Sequence, residues 1–203
     1  MLRNSSSIEL TTAILRETVP VEGTPAETYL MYHRIPKNAC LRYHPSLDHP
    51  SGEKLPAIVV PVTNEEGLHM AIHLTFLSEN AERITAVFPP TTVIGSAEGG
   101  AVRLAPPDAG FLVVGVRLNL CLRAMKYWRK PVWATLSLEG LAALSLPAEV
   151  TNLVIVIAGE SLPLQSAHML RERCAKEGRH ARVRLLLPPD EDGCTPDYLL
   201  YNY

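Results

Sequence analysis

No apolar run in this 203-residue chain approaches the ~20 residues that a membrane-spanning helix needs. Leu153 to Ala158, among the longest, is far shorter, so no membrane partner is expected. Nor does an apolar core follow the single Arg3 in Met1-Leu-Arg-Asn-Ser-Ser-Ser7, which argues against export. Cysteine is scarce and scattered. Cys40, Cys121, Cys174 and Cys194 form no Cys-x-x-Cys pair, which speaks against a disulfide framework or a zinc knuckle and for reduced thiols in the cytoplasm. A strong net charge is missing as well: 19 Lys and Arg against 21 Asp and Glu leave −2, so any attraction for nucleic acid has to come from a local face. With 47% apolar and 20% charged residues the chain reads as globular, with length for one sizeable domain or two small ones.

Within those bounds the pattern predicts two regions. Residues 1–107 read as a small α+β unit. Its first helix is expected over Ile8 to Thr18, with Ile8, Ala13, Ile14 and Leu15 on the apolar side. The second is expected over Pro25 to His33, with Thr24 as N-cap, Pro25 in the first turn and Glu27 completing a capping box. Cys40 to His44 looks extended. Ala57 to Thr63 and His69 to Phe76 read as strands joined at Asn64-Glu-Glu-Gly67, a hairpin signal, and Ala101 to Leu104 as one more short strand. After Pro106-Pro107-Asp108 the rhythm changes. Strands at Phe111–Val116, Val132–Leu136, Leu153–Ala158 and Arg182–Leu187 alternate with helices at Leu118–Trp128, Leu138–Leu144 and Leu164 to about Gly178. Residues 108–203 therefore read as an α/β domain with a mostly parallel four-stranded sheet.

Open α/β sheets keep their chemistry at the carboxyl ends of the strands. Here those ends carry few acids. Phe111-Leu-Val-Val-Gly-Val-Arg117 ends in Val114, Gly115 and Arg117, and Ile155-Val-Ile-Ala-Gly-Glu-Ser161 ends in Gly159, Glu160 and Ser161. Glu160 is a weak metal candidate together with Asp190, Glu191 and Asp192, which otherwise form a solvated loop. Arg117, Arg123, Lys126, Arg129 and Lys130 make a basic run without an acid, interrupted by Tyr127 and Trp128. Arg123, Lys126, Tyr127 and Lys130 share a helical face by their spacing, suited to phosphates and stacked bases or to an acidic protein, or simply solvated. His44, Asp48, His49, His69 and His73 are read as hydrogen-bonded structural groups, since residues four apart on a strand lie ~13 Å apart. Ser137 and Ser161 lack an evident His partner. Gly95 to Gly100 lacks the Lys-Ser/Thr of a phosphate loop.

The order of several short blocks resembles plasmid- and phage-type primases of the Toprim family. Glu22-Gly-Thr-Pro-Ala-Glu-Thr-Tyr-Leu30, Leu41-Arg-Tyr-His-Pro45 and His49-Pro50 resemble the region before the Toprim domain. Pro56 to Val60, Ile72 to Thr75, Gly99 to Leu104, Pro131 to Ser137 and Leu146-Pro147 continue the likeness over most of the chain. The zinc-binding module often found upstream in such primases is not expected here, since the cysteines form no Cys-x-x-Cys pair. The resemblance implies a Toprim-like, Rossmann-type sheet, and it implies what is missing. The family's Glu-Gly-x-Glu run falls on Val114-Gly-Val-Arg117. Its magnesium-binding Asp-x-Asp falls on Gly159-Glu-Ser161, and a closing acidic motif falls near Asp197.

Magnesium takes oxygen ligands, usually one or two carboxylates with waters and phosphates, and phosphoryl transfer leans on such ions. Valine, glycine and serine do not supply that field. Arg117 at ~6 Å from a divalent ion would repel it by roughly 5 kcal/mol at an effective dielectric of 20. The sequence thus leads to the expectation of a degenerate primase core from a mobile element, without catalytic residues or cofactor. It would act on a protein partner or on nucleic acid, with no oligomeric state implied. The remaining alternative is a divergent enzyme that rebuilds a metal site from Glu160, Asp190, Glu191, Asp192 and Asp197.

Overall fold

Short strands rich in valine and isoleucine build two separate sheets in the computed structural model, which describes residues 2–78, 86–158 and 163–186. The chain divides into two compact units, Met1–Ala97 and Glu98–Tyr203. The first contains α1 (Leu2–Glu17), β1 (Val19–Pro20), α2 (Pro25–Tyr32), β2 (Arg42–Asp48), β3 (Lys54–Thr63), β4 (His69–Phe76) and β5 (Thr91–Gly95). Its strands pair antiparallel in chain order. At the middle of β3, Ile58, Val59 and Val60 are all buried, which is why that strand reads as an apolar run rather than an alternation. Asn64 fixes the β3–β4 hairpin: its Oδ1 accepts from the backbone N–H of Glu66 (3.1 Å) and Leu68 (2.9 Å), and Gly67 turns the chain at φ +81°.

Several local expectations change here. Helix α1 starts six residues before Ile8. Its sequence holds no glycine or proline, and serine or asparagine costs only tenths of a kcal/mol per residue in a helix. Ile14 and Leu15 pack on the core of β2–β4, whereas Ile8 and Ala13 are exposed and Thr11 is the buried residue. The expected capping box at α2 does not form, because the N–H of the N-cap Thr24 is spent on the Val21 carbonyl (3.2 Å). Thr24 Oγ1 donates to the carbonyl of Val21 (2.6 Å) and caps nothing, while the Glu27 carboxylate accepts from the N–H of Gly23 (2.7 Å). Strands β1 and β5, which the sequence pattern did not mark, exist through their ladders to β2 and β4.

The second unit contains β6 (Val102–Arg103), β7 (Phe111–Gly115), α3 (Leu118–Trp128), β8 (Val132–Ala134), α4 (Leu138–Ala143), β9 (Asn152–Ala158), α5 (Pro163–Lys176) and β10 (His180–Leu186). The sheet order is β10-β9-β7-β8-β6. Strands β7 to β10 run parallel, and β6 pairs antiparallel with β8. The sheet is therefore mixed and five-stranded, not four-stranded. The fifth strand comes from the segment that sequence reading grouped with residues 1–107. Trp133 is what recruits it: the Arg103 guanidinium lies 4.2 Å from the indole centre, and the indole N–H donates to the Ala105 carbonyl (2.9 Å).

One face of this sheet forms a core with α4 and α5 through Leu112, Val114, Trp133, Ile155, Leu141 and Leu170. Full burial of each such side chain contributes about 1.5–3 kcal/mol. Ser137 caps α4, accepting from the N–H of Gly140 (2.8 Å). Arg179, just past α5, donates to the carbonyls of Pro147 (2.7 Å) and Leu146 (3.3 Å), and Arg173 donates to that of Leu144. Those two guanidinium groups hold the α4–β9 connection in place.

Candidate functional site at the strand ends

Val114 lies near the carboxyl end of β7, two residues before the turn into α3. Its side chain is 0% exposed and belongs to the core under α4 and α5, level with Trp133 and Ile155 on the neighbouring strands. Gly115 faces α3 at close range: a Cβ there would sit 2.7 Å from Val156 Cγ2 and 2.9 Å from Cys121 Sγ. Only glycine lets α3 approach β7 this closely. The Gly115 carbonyl accepts from the N–H of Thr135 (2.8 Å), so backbone and side-chain space at this strand end are both filled.

Arg117 occupies the N-cap of α3 in an extended conformation, exposed, with no side-chain capping bond and no acid in the first turn of the helix. A cation at a helix N-terminus opposes the macrodipole. Glu160, Gly159 and Ser161, together with Asp190, Glu191, Asp192 and Asp197, lie outside the described residues. Among the described residues no three His, Cys, Asp or Glu side chains converge as a metal cluster would require.

The basic run is split by the structure. Arg123 is half-buried, and Lys126 and Tyr127 are exposed on α3. Lys130 is not on that face. Pro131 disfavours helical geometry at the residue before it, and the chain leaves α3 through Arg129 at φ 51°. Lys130 instead places its ammonium 5.7 Å from the Phe111 ring centre, beside Trp128 and Arg184. Arg117 stands at the opposite end of α3, whose eleven residues span ~16 Å. Arg184 and Phe111 were not singled out from sequence. Their alternation along β7 and β10 was the available signal, and it needed the strand order to become a surface.

Four histidines are held by ordinary partners. Ser46 N–H donates to His44 Nδ1 (3.2 Å), leaving Nε2 facing Glu17 at 3.3 Å. Ser51 N–H donates to His49 Nδ1 (3.0 Å), so Nε2–H donates to the Pro89 carbonyl (2.9 Å). Asp48 pairs with Lys54 (3.1 Å) and not with a histidine. His69 Nε2 meets Thr11 Oγ1 at 2.8 Å. His33 packs against the rings of Tyr29 and Tyr32. His73 differs in degree: burial pushes its imidazole down to about 4, and its Nδ1, like that of His69, is buried with no hydrogen-bond partner. Burial also pushes the thiols of Cys40 and Cys121 up to about 12, which makes them poor nucleophiles.

Known structures resemble this arrangement. The RNA polymerase domain of Mycobacterium tuberculosis primase DnaG aligns over 94% of this chain and 76% of its own, at 11% identity and TM-score 0.52. The same domain in complex with double-stranded DNA aligns over 94% and 74%, at 9% identity and TM-score 0.50. The Escherichia coli primase catalytic core aligns over 97% and 74%, at 12% identity and TM-score 0.49. The fold is primase-core-like. At such identities the mycobacterial likeness is one of fold and carries no activity with it. Residues 5–104 match a family model described as a domain of unknown function (DUF7146). No curated protein sequence matches the chain. No helix of the described residues is long and apolar enough to cross a membrane.

Proposed function

We propose that this chain is a degenerate relative of plasmid- and phage-type Toprim primases that has left metal-dependent phosphoryl transfer and serves a nucleic-acid machine as a binding or regulatory factor in the cytoplasm. One observation carries the reading: at the end of β7, Val114 is sealed in the core and Gly115 has no room for a side chain. A carboxylate at either position would have to displace packed apolar atoms before it could reach a metal. Arg117, exposed at the start of α3, adds a charge of the wrong sign for a cation.

The test is primer-synthesis and nuclease assays with magnesium or manganese, alongside calorimetric metal titration. Absence of turnover is expected. Metal-dependent turnover abolished by Glu160→Ala would overturn the proposal and favour an enzyme rebuilt from Glu160 and the acids at 190–192 and 197.

A second reading, nucleic-acid binding without chemistry, is favoured by the exposure of Lys126, Tyr127 and Arg129 at the end of α3. It requires oligonucleotide affinity that falls with salt and is weakened by Arg123→Glu with Lys126→Glu.

A further inference from the structure

Register along the second sheet fixes which side chains share a face. Phe111 and Val113 of β7 align with Asn152 and Val154 of β9, and these align with His180 and Arg182 of β10. The reverse face is the core under α4 and α5. On the first face α3 packs against β7 and β8. Over the β9–β10 half an open groove of about 310 Å³ is lined by Phe111, Val113, Trp128, Lys130, Val154 and Arg184. A second hollow of about 420 Å³ adjoins it at Phe111 and Val154 and reaches His180 and Arg182. The second hollow lies at the amino ends of β9 and β10, whereas the groove reaches along β10 to Arg184, which aligns with Val156 and through it with Gly115.

We propose that this groove binds a segment of a partner protein that combines apolar anchoring side chains with carboxylates. The inference rests on the binding role proposed above and names the partner chemistry for it. Parallel sheets bury both faces, and among the described residues no helix covers the groove in which Phe111, Trp128 and Val154 remain partly exposed. Three cations, Lys130, Arg182 and Arg184, stand around it, and among the described residues neither hollow is lined by an aspartate or glutamate. Carboxylates complement that rim. The floor, Val113 and Val154, offers no hydrogen-bonding group. A nucleobase edge lodged there would leave its polar atoms unpaired, whereas a leucine or phenylalanine side chain loses nothing. Three phosphate contacts on a chain of net charge −2 would also release few counterions, which disfavours a nucleic-acid occupant.

The full chain is titrated with a synthetic peptide of about 16 residues that alternates glutamate with leucine and phenylalanine, and with its lysine-for-glutamate counterpart. Trp128 lines the groove and Trp133 is 1% exposed, so a blue shift in tryptophan emission reports occupancy. The acidic peptide binds at micromolar concentration and the basic one at least tenfold more weakly. Arg184→Glu weakens the acidic peptide tenfold or more and improves the basic one. Arg184→Gln, which leaves no buried negative charge, gives a smaller loss in the same direction. Circular dichroism verifies the fold of both variants. Three results overturn the proposal: equal affinity for both peptides, unchanged affinity in both Arg184 variants, or oligothymidylate displacing the acidic peptide in an Arg184-dependent way. None of these depends on whether the primer-synthesis assay shows turnover.

Discussion

Val114→Glu puts back the acid that the Toprim resemblance places at this position, and the structure sets its energetic consequence. The valine is fully buried beside Leu112, Trp133 and Ile155 in the hydrophobic core under α4 and α5. An unpartnered neutral carboxyl there costs at least ~2 kcal/mol, and forcing the longer side chain into a filled core costs a further ~1–3 kcal/mol. Loss of the valine contacts adds about 1 kcal/mol. The total, roughly 4 kcal/mol or more, is a large part of the ~5–15 kcal/mol that stabilises a typical domain. Val114→Ala, which removes two methyl groups, serves as the packing control at about 2 kcal/mol. Equilibrium urea unfolding measures both. A pH signature separates burial from simple crowding. The buried carboxyl holds its proton in the folded state while the unfolded chain releases it near its ordinary value of about 4.3. The deficit of Val114→Glu should therefore grow as pH rises from about 4 to 8. A variant within about 1 kcal/mol of the parent at pH 8, or one that gains magnesium affinity, would refute the placement of Val114 and with it the reading of β7 as a closed strand end.

His73 is stable in its neutral form: its folded-state value lies near 4, below the ordinary 6.5, because of burial. Its contribution is thus fully present above pH 6.5 and is lost as pH falls toward 4, to a limit of about 3 kcal/mol. Replacement by His73→Leu should flatten the acid limb of the urea-midpoint profile, and parallel profiles would contradict this. Gly115→Ala places a methyl group 2.7 Å from Val156 Cγ2 and 2.9 Å from Cys121 Sγ, and should destabilise by about 1–3 kcal/mol. Adding Val156→Ala should then cost less than the sum of the single changes, and strict additivity would show that the two side chains do not meet.

The periodicities carried much of the architecture. The alternation of buried strands with amphipathic stretches after Pro107 set out the strands and helices of the second unit because each follows from local composition, and α3 was bounded at Leu118 and Trp128 by its own apolar spacing and by Pro131. The scarcity of acids at Val114, Gly115 and Arg117 was likewise visible in the chain itself. Other features depended on partners distant in sequence. Strands β1 and β5 are two and five residues long and exist only through ladders to β2 and β4, so no local pattern marked them, and β6, legible as a short strand, gave no sign that it joins the second sheet through β8. Thr24 carries a capping signature yet spends its hydroxyl on Val21. Lys130 sits at helical spacing from Lys126 but is turned away at Arg129, and meets Phe111 and Arg184 from strands about twenty residues before it and fifty after. Sequence by itself determined which segments fold and which strand end lacks acids, because composition and period act over a few residues. Tertiary structure alone decided that Val114 is sealed and that Lys130 and Arg184 share one groove, because strand order and register bring together residues that the chain keeps far apart.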